Sequence, residues 1–362
     1  MRGFEAVHPQ PDLRPSLQGV FAAIDLGTNN CRLLMGTPSA EGFRVVDSYS
    51  RTVRLGEGVD RGAMLGEAAM ERALVALRAI AARLHRRQVS GLRAVATEAC
   101  RQARNGPAFL RQVQAETGLK IDIISAREEA ELALESCASL LLGGGRRALV
   151  FDIGGGSTEL AWVRLDGKAQ GQAEGQPTPE LIGYASLPLG VVSLFERHGP
   201  DVFSAPAFEA MVTDVLEGLR RFEDIHRIRQ EVRAGGVWML GTSGTVTTLA
   251  GVAMGLLRYR RLLVDGTVLT AEAAGKALAV LRGLGPVGLA AQPCIGPDRT
   301  DFVLPGCAVF EAIRRVWPVG DVIVADRGLR EGMLLRLMRQ AAGRGTPADA
   351  PRRVFAPTAQ AV

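Results

Sequence analysis

The sequence predicts an α/β protein built from two similar domains, and three observations support this. Its 362 residues exceed what one hydrophobic core usually organises. Short apolar runs alternate with longer runs of helical periodicity. The unit "VFAAIDLGTNNCRLLMG" (20–36) has the same layout as "RALVFDIGGGSTELAWV" (147–163): an apolar strand, an Asp, a polar glycine-containing turn and a second strand. Asp25 and Asp152 occupy the same point of the two units, which indicates a duplication.

The elements between the two units follow in order. Residues 67–87 repeat apolar side chains at helical spacing, with acids early and arginines late, as the helix dipole favours. "LRAVAT" (92–97) and "KIDIIS" (120–125) are predicted strands, and 106–118 is a predicted helix that ends at Gly118. A helix from 126 runs into the glycines at 143–145. We therefore expect domains at 19–142 and 143–325, a surface loop at 166–180, and disorder at 1–18 and 343–362.

Composition and charge restrict the class of protein. The net charge of +5 and pI near 9.2 are compatible with a polyanionic partner. Aromatic residues make up only 5% of the chain, too few to interleave with arginine as in a nucleic-acid binder, so no nucleic-acid partner is expected. Five scattered cysteines indicate free thiols in a reducing compartment. Neither a signal peptide nor an apolar run of membrane-spanning length is recognisable. The expected location is the cytoplasm, without membrane association.

The first candidate loop is "DLGTNN" (25–30), which follows a strand. Backbone N–H groups at such a turn, with the side chains of Thr28, Asn29 and Asn30, can bind an anion. Asp25 can hold a hard cation. Alone, such a pattern is more often only an ordinary turn.

The second loop is "DIGGGSTE" (152–159). Three adjacent glycines leave room for a ligand against the backbone, and we interpret that ligand as a phosphate. Ser157 and Thr158 add hydroxyl groups, while Asp152 and Glu159 are acids of the kind that bring in Mg²⁺. The alternative is a glycine-rich hairpin with no ligand.

The third loop lies in "MLGTSGTVTTLAG" (239–251), where a strand leads into a helix. The free N–H groups and the positive end of a helix dipole favour phosphate at such a junction. The loop contains no lysine and is not a Walker-type phosphate loop. Two duplicated domains would place the acid–glycine turns face to face across a cleft, so the three loops support one another.

Together these motifs resemble the actin-like superfamily, and specifically the exopolyphosphatase/guanosine pentaphosphatase (Ppx/GppA) family. The family's motif order is present over residues 20–337, from "IDLGTNNCRLLM" through "IISAREEAELA", "VFDIGGGSTEL" and "LGTSGTVTTLAG" to "DRGLREGML". The resemblance implies two ribonuclease H-like domains with an intervening cleft. It also implies that the last helix, 326–340, packs back on the first domain, as in a short, two-domain member.

The resemblance implies metal-dependent removal of the terminal phosphate from inorganic polyphosphate or guanosine pentaphosphate. Glu129, in the "EEA" motif, corresponds to the catalytic carboxylate that activates water. The cofactor would be Mg²⁺ or Mn²⁺, with Asp25, Asp152 and Glu159 around the metal and the attacking water, so Glu159 is also a candidate catalytic residue. Other matched residues would bind phosphate: Thr28, Asn29, Asn30, Arg101, Gly154, Gly155, Gly156, Ser157, Thr158, Gly190, Gly241, Thr242, Ser243, Gly244 and Thr245. Relatives often dimerise, so a homodimer is a further expectation.

Two positions depart from the family pattern. Glu98 stands where relatives more often have a small polar residue, and an acid there would weaken phosphate binding by Arg101. Glu131 replaces an arginine of the family's "EEAR" motif. Arg127 is the candidate to substitute for it, although an exposed surface arginine is the favoured interpretation of that position.

Three other functions remain open at this level. A guanosine pentaphosphate phosphatase would use the same site chemistry and differ by a pocket for guanine. A polyphosphate or nucleotide sensor would bind without turnover. A sugar or acetate kinase is disfavoured by the "EEA" carboxylate and by the motif order.

Overall fold

The computed structural model describes residues 19–40, 42–142, 145–165 and 179–343. The first domain is built on a five-stranded sheet. Its strands are β1 (Val20–Leu26), β2 (Asn30–Ser39), β3 (Gly42–Thr52), β4 (Val89–Ala96) and β5 (Asp122–Ile123). Its helices are α1 (Val59–Gly62), α2 (Glu67–Arg86), α3 (Glu98–Gln102), α4 (Gly106–Thr117) and α5 (Ala126–Cys137).

The second domain is built on a six-stranded sheet. Its strands are β6 (Arg147–Ile153), β7 (Thr158–Arg164), β8 (Glu180–Leu187), β9 (Val237–Thr242), β10 (Val268–Leu269) and β11 (Val322–Ala325). Its helices are α6 (Val191–His198), α7 (Ala205–His226), α8 (Ile228–Ala234), α9 (Ser243–Ala253), α10 (Arg261–Val264), α11 (Ala271–Gly283), α12 (Gly285–Ala291) and α13 (Thr300–Val316). A final helix, α14 (Leu329–Gly343), follows β11.

The two sheets share one topology. The first has the order β3-β2-β1-β4-β5 and the second the order β8-β7-β6-β9-β11, with β10 added at the edge. In both, the first three strands are antiparallel, and β4 and β5, or β9 and β11, run parallel to the first. The edge strand β10 is antiparallel to β11. This repeated order confirms the expected pair of ribonuclease H-like domains. It also places the turns after β1 and β6 at equivalent ends of the two sheets.

The last helix packs on the first domain. Met333, Leu334 and Met338 of α14 share a buried cluster with residues of β1 and α5. Gly332 allows close approach, since a Cβ there would lie 2.0 Å from the Leu132 carbonyl oxygen of α5. Glu135 of α5 accepts from Arg336 of α14 over 3.0 Å. The chain therefore crosses back to the first sheet after completing the second.

Several expectations concern residues that the structure does not describe. The N-terminal segment 1–18, residues 143 and 144 of the proposed boundary, and most of the loop at 166–180 lie outside the described residues. So does the C-terminal segment, apart from Gly343, which ends α14. No helix in the described part of the chain has the length and apolarity needed to cross a bilayer.

Candidate active site

Two aspartates from equivalent strands face the cleft between the domains. Asp25 lies near the end of β1, opposite Arg32 of β2. Asp152 lies near the end of β6, opposite Glu159 of β7. Residues directly opposite in an antiparallel pair have side chains on the same face of the sheet. The hairpin register therefore brings Asp152 and Glu159 together.

The glycine turn after β6 packs directly against the turn after β1. A Cβ at Gly155 would lie 3.1 Å from the Cβ of Asn29, and one at Gly156 would lie 2.7 Å from Oγ1 of Thr28. Both glycines also line the cleft. The sequence-based reason for the glycines was space for a phosphate. In the structure, the neighbour that excludes side chains at these two positions is the turn of the other domain.

Three predicted phosphate ligands lie behind the turns. Val191 and Val192 donate backbone hydrogen bonds to this turn, and a Cβ on the preceding residue, Gly190, would lie 2.4 Å from the Gly155 oxygen. Thr158 is fully buried and donates to the Leu189 carbonyl over 2.7 Å. Gly241 packs against the Phe151 ring. Gly190, Thr158 and Gly241 are absent from the cleft lining, so they support the wall rather than forming it.

The third loop forms the junction of β9 and α9. Ser243 has a φ of 80°, a left-handed conformation that is uncommon for a residue other than glycine. Its hydroxyl donates to the Ile153 carbonyl over 2.8 Å, which ties the start of α9 to the end of β6. Thr242, Ser243, Gly244 and Thr245 all line the cleft. The first-turn N–H groups of α9, which have no partner within the helix, therefore lie at the cleft wall.

Glu129 enters the cleft from the first turn of α5. Ser125 caps this helix by accepting from the Glu128 backbone N–H over 3.1 Å. The Glu129 side chain is only 15% exposed. Burial raises the pKa of Glu129 well above its usual range, and the Glu159 carboxylate raises it further. A carboxylate in such surroundings is a stronger base than one in water.

The pKa values of two acids of the second domain, Glu159 and Asp152, are also raised. Burial raises the pKa of Glu159 to about 7, with Asp152 acting in the same direction. Ser157 and Ser186 donate to the Glu159 carboxylate over 2.5 and 3.0 Å. Burial also raises the pKa of Asp152 to about 6, opposed by Arg32. The cleft therefore concentrates carboxylates that a cation would stabilise in their charged form.

Arg101 is not where a phosphate ligand was expected. It does not line the cleft cavity. Its guanidinium donates to Glu129, to the Ile124 carbonyl and to Glu98 instead. Glu98, which departs from the family pattern, is thus one of the groups that hold the Arg101 guanidinium outside the cleft lining.

Arg127, the candidate to replace the missing arginine of the "EEAR" motif, lies on the surface. Its guanidinium donates to Glu131 one turn later over 2.8 Å and lies 5.9 Å from the centre of the Tyr184 ring. Its side chain is 62% exposed. It does not substitute for an arginine in the cleft.

Four arginines that the sequence reasoning missed line the cleft: Arg32, Arg299, Arg327 and Arg330. Arg327 is already ion-paired with Asp265 at 2.9 Å. Arg32 has no hydrogen bond or ion pair with any described residue. Arg299 donates to the Gly244 carbonyl and to Thr248 over 3.3 and 2.5 Å. Burial lowers the pKa of both Arg299 and Arg330, so an anionic ligand would stabilise their charged forms. Arg32 stands in the family motif "IDLGTNNCRLLM", and Arg327 and Arg330 stand in "DRGLREGML", which was the available signal.

The cleft is a single cavity of about 570 Å³ lined by both domains. Fifteen predicted site residues line it: Asp25, Thr28, Asn29, Asn30, Glu129, Asp152, Gly154, Gly155, Gly156, Ser157, Glu159, Thr242, Ser243, Gly244 and Thr245. The cavity therefore joins the two acid–glycine turns, the start of α9 and the "EEA" carboxylate.

The chemistry of this lining fits a hard divalent cation. Carboxylate and amide oxygens are suitable ligands, and Oδ1 of Asn29 is buried without a hydrogen-bond partner among the described residues. No group of three or more His, Cys, Asp or Glu side chains within the described ranges is arranged to hold a metal ion. The arrangement suits Mg²⁺, which commonly uses one or two carboxylates and takes its remaining ligands from water and phosphate.

Two similar sheets, an intervening cleft, and acids and glycine turns at equivalent strand ends define a two-domain α/β protein of the actin-like superfamily. A protein-family model described as the Ppx/GppA phosphatase family matches residues 37–341. The chain therefore belongs to this family.

Individual relatives agree with this assignment. A guanosine-5'-triphosphate,3'-diphosphate pyrophosphatase of Aeromonas hydrophila is 30% identical over 324 residues, covering 88% of this chain and 59% of that protein. The chain thus spans less than two thirds of that relative's length.

Solved structures show the same similarity. The Ppx/GppA family member of Aquifex aeolicus is 25% identical, with a TM-score of 0.70 over 89% of this chain and 98% of its own. An exopolyphosphatase-like protein is 31% identical, with a TM-score of 0.74 over 90% and 99% of the two chains. An exopolyphosphatase of Cytophaga hutchinsonii, at 21% identity and a TM-score of 0.76 over 89% and 98%, shares the fold.

Proposed function

We propose that this protein is an exopolyphosphatase that hydrolyses the terminal phosphoanhydride bond of inorganic polyphosphate. The observation that carries the proposal is the position of Glu129, a carboxylate only 15% exposed that opens into a cleft lined by Arg32, Arg299 and Arg330. Phosphoryl transfer requires mainly positioning, charge stabilisation and a group that orients the nucleophile. This lining supplies all three.

In the proposed reaction, a water oxygen attacks the terminal phosphorus while the Glu129 carboxylate takes a proton from that water. The bond from phosphorus to the bridging oxygen breaks, and the shortened chain leaves with the electron pair. The arginines and the first-turn N–H groups of α9 stabilise the charge on the phosphate oxygens. A bound Mg²⁺ or Mn²⁺, held by Asp25, Asp152 or Glu159, would neutralise further phosphate charge.

A second candidate substrate is guanosine pentaphosphate, which the name of the Aeromonas hydrophila relative favours. The cleft lining gives less support to a purine base. Its described aromatic residues are Tyr259 and Phe302. The Tyr259 hydroxyl donates to Asp326. The Phe302 ring makes a T-shaped contact with the Phe195 ring, and its centre lies 5.5 Å from the Arg54 guanidinium. Both aromatic residues thus already have partners within the protein, which favours polyphosphate as the primary proposal.

The test measures phosphate release from long-chain polyphosphate and from guanosine pentaphosphate in parallel, with Mg²⁺ present and absent. Glu129→Gln keeps the shape of the side chain and removes the base, so kcat should fall by about 10²- to 10⁴-fold. Glu131→Gln is the matched control, because Glu131 lies on the same helix and pairs with Arg127 on the surface.

Release from polyphosphate that is lost in Glu129→Gln and kept in Glu131→Gln supports the proposal. Release from the nucleotide alone selects the second candidate. Tight polyphosphate binding without release from either substrate would indicate a sensor and contradict both enzymatic proposals.

A further inference from the structure

Arg101 is held by three acceptors of its own domain. One guanidinium nitrogen donates to the Ile124 carbonyl over 2.9 Å and to Oε2 of Glu129 over 3.2 Å. The other donates to Oε2 of Glu98, three residues earlier on α3. The Arg101 and Glu98 side chains are 23% and 12% exposed. The guanidinium is thus directed at α5 and at its own helix.

Glu98 is itself fixed by two donors on α3. Arg101 contacts one of its carboxylate oxygens, and Gln102 donates to the other over 2.6 Å. These partners lie three and four residues away, the spacing at which helical side chains meet. Because both oxygens are engaged, Glu98 is a fixed anchor for the guanidinium.

The contact with Arg101 leaves one side of the Glu129 carboxylate available. Arg101 uses Oε2, while Oε1 has no hydrogen-bond partner in the described part of the chain. Glu129 lines the cleft and Arg101 does not. Because Arg101 anchors Oε2, the direction of Oε1 is fixed as well. Oε1 is the oxygen that would receive the proton from water.

We propose that Arg101 is a positioning residue for the catalytic base rather than a ligand of the substrate, and that Glu98 establishes this role by holding the guanidinium against Glu129. The inference rests on the proposed function of Glu129. In this proposal Glu98 contributes to the site by holding Arg101 in place, whereas the family resemblance suggested only that Glu98 weakens phosphate binding.

Energetics support this assignment. To reach a phosphate in the cleft, Arg101 would have to leave two carboxylates that are largely buried, and unpaired buried charges are strongly destabilising. The planar guanidinium can contact several acceptors at once, which a lysine ammonium on its flexible stem does not reproduce. A substrate ligand, by contrast, would keep part of its function as lysine, since a point charge also binds phosphate.

The experiment compares wild type with Arg101→Gln, Arg101→Lys and Glu98→Gln. It measures kcat and KM for polyphosphate and, by calorimetry, the Kd of a methylene-bridged tripolyphosphate analogue. Arg93→Gln is the matched control, because Arg93 also bridges two carboxylates, Asp122 and Glu128, but does not line the cleft. Thermal melting of each variant verifies that it folds.

We expect both Arg101 variants to lower kcat by about 10²-fold, as misplacement of a catalytic group does. The KM and the analogue Kd should change by less than about threefold, well below the tenfold step that corresponds to about 1.4 kcal/mol. Glu98→Gln should also lower kcat, by a smaller factor than the Arg101 variants do. Arg93→Gln should leave kcat unchanged.

A rise of tenfold or more in the analogue Kd of Arg101→Gln, with Arg101→Lys retaining affinity, would identify a substrate ligand and overturn the proposal. An unchanged kcat in Glu98→Gln would overturn the role of Glu98. Absence of phosphate release by the wild type counts against the proposed function instead, and the analogue Kd still decides whether Arg101 binds the substrate.

Discussion

At the scale of single residues, Asn29 shows how the cleft is prepared for a ligand. The residue is 9% exposed, and Oδ1 accepts no hydrogen bond from any described residue. A buried acceptor without a donor costs free energy in the ligand-free protein. A hydrated cation or a ligand-bound water would supply the missing partner. In the proposed site, Asn29 would thus cost a little stability in the ligand-free protein and recover it when a ligand binds.

Asn29→Ala should therefore leave the melting temperature of the ligand-free protein close to that of wild type, because the Cβ that packs on Gly155 is retained. The KM for polyphosphate should rise about tenfold, the effect of losing one strong hydrogen bond. Asn105→Ala is the contrasting control. Asn105 exchanges hydrogen bonds with Leu65 at 2.8 and 3.0 Å, so its loss should lower stability without changing KM. The opposite pattern would contradict a binding role for Asn29.

At the scale of elements, the crossing of α14 over α5 fixes the helix that carries Glu129. Gly332 allows the two backbones to approach, since a Cβ there would lie 2.0 Å from the Leu132 carbonyl oxygen. Leu132 is three residues after Glu129, and Arg330 and Glu331 lie in the first turn of α14 at the cleft. A change in this crossing would move the Glu129 carboxylate relative to the Arg330 guanidinium.

Gly332→Ala should lower the free energy of unfolding by about 1–3 kcal/mol, as overpacking does, and should reduce kcat because α5 shifts. The control is Gly275→Ala in α11, where no atom lies within 4 Å of the added Cβ. That substitution should stabilise the protein by about 0.5–1 kcal/mol through helix propensity. Denaturant unfolding and phosphate release measure both effects. Equal stability changes in the two variants would refute the role of the close crossing.

At the scale of the whole molecule, the cleft brings acids of both domains into one electrostatic system. Asp25 of the first domain raises the pKa of Asp152 in the second. The Glu129 carboxyl is likewise raised by Glu159 across the cleft. The carboxylates of the cleft therefore repel one another when they are ionised, and a bound divalent cation should reduce this repulsion.

The metal-free protein should consequently lose stability as pH rises. The pKa of Glu159 is about 7 in the folded protein against an ordinary value of 4.5, so the protonated form is favoured by folding. Its contribution is fully present below about pH 4.5 and is lost as pH rises through about 7. Chemical denaturation between pH 5 and 8 should show a smaller decrease for Glu159→Gln than for wild type. Mg²⁺ should raise the melting temperature more at pH 8 than at pH 5.

Glu131→Gln provides the control for this titration, since Glu131 pairs with Arg127 away from the cleft. Its pH dependence should match that of wild type. A Glu159→Gln variant that loses as much stability as wild type over this range would show that the carboxyl does not titrate with a raised pKa.

The sequence alone was enough to predict the duplication, the two strand-end aspartates and the helix start that lines the cleft. These features are local: each depends on a strand period, a turn and a nearby acid, so "DLGTNN" and "DIGGGSTE" could be compared directly. Glu129 required the family resemblance, because an acidic helix face has no local feature that distinguishes a base from a solvated carboxylate.

Only the tertiary structure decided which side chains meet. Arg32, Arg299 and Arg330 come from three distant segments, and no spacing in the chain indicates that they line one cavity. The partners of Arg101 depend on how α3 packs against α5. The glycines at 155 and 156 are explained by a turn more than 120 residues away in the chain, at Thr28 and Asn29. Sequence pattern fixes the local backbone, whereas long-range packing decides which groups share a low-dielectric space and hence what chemistry they can perform.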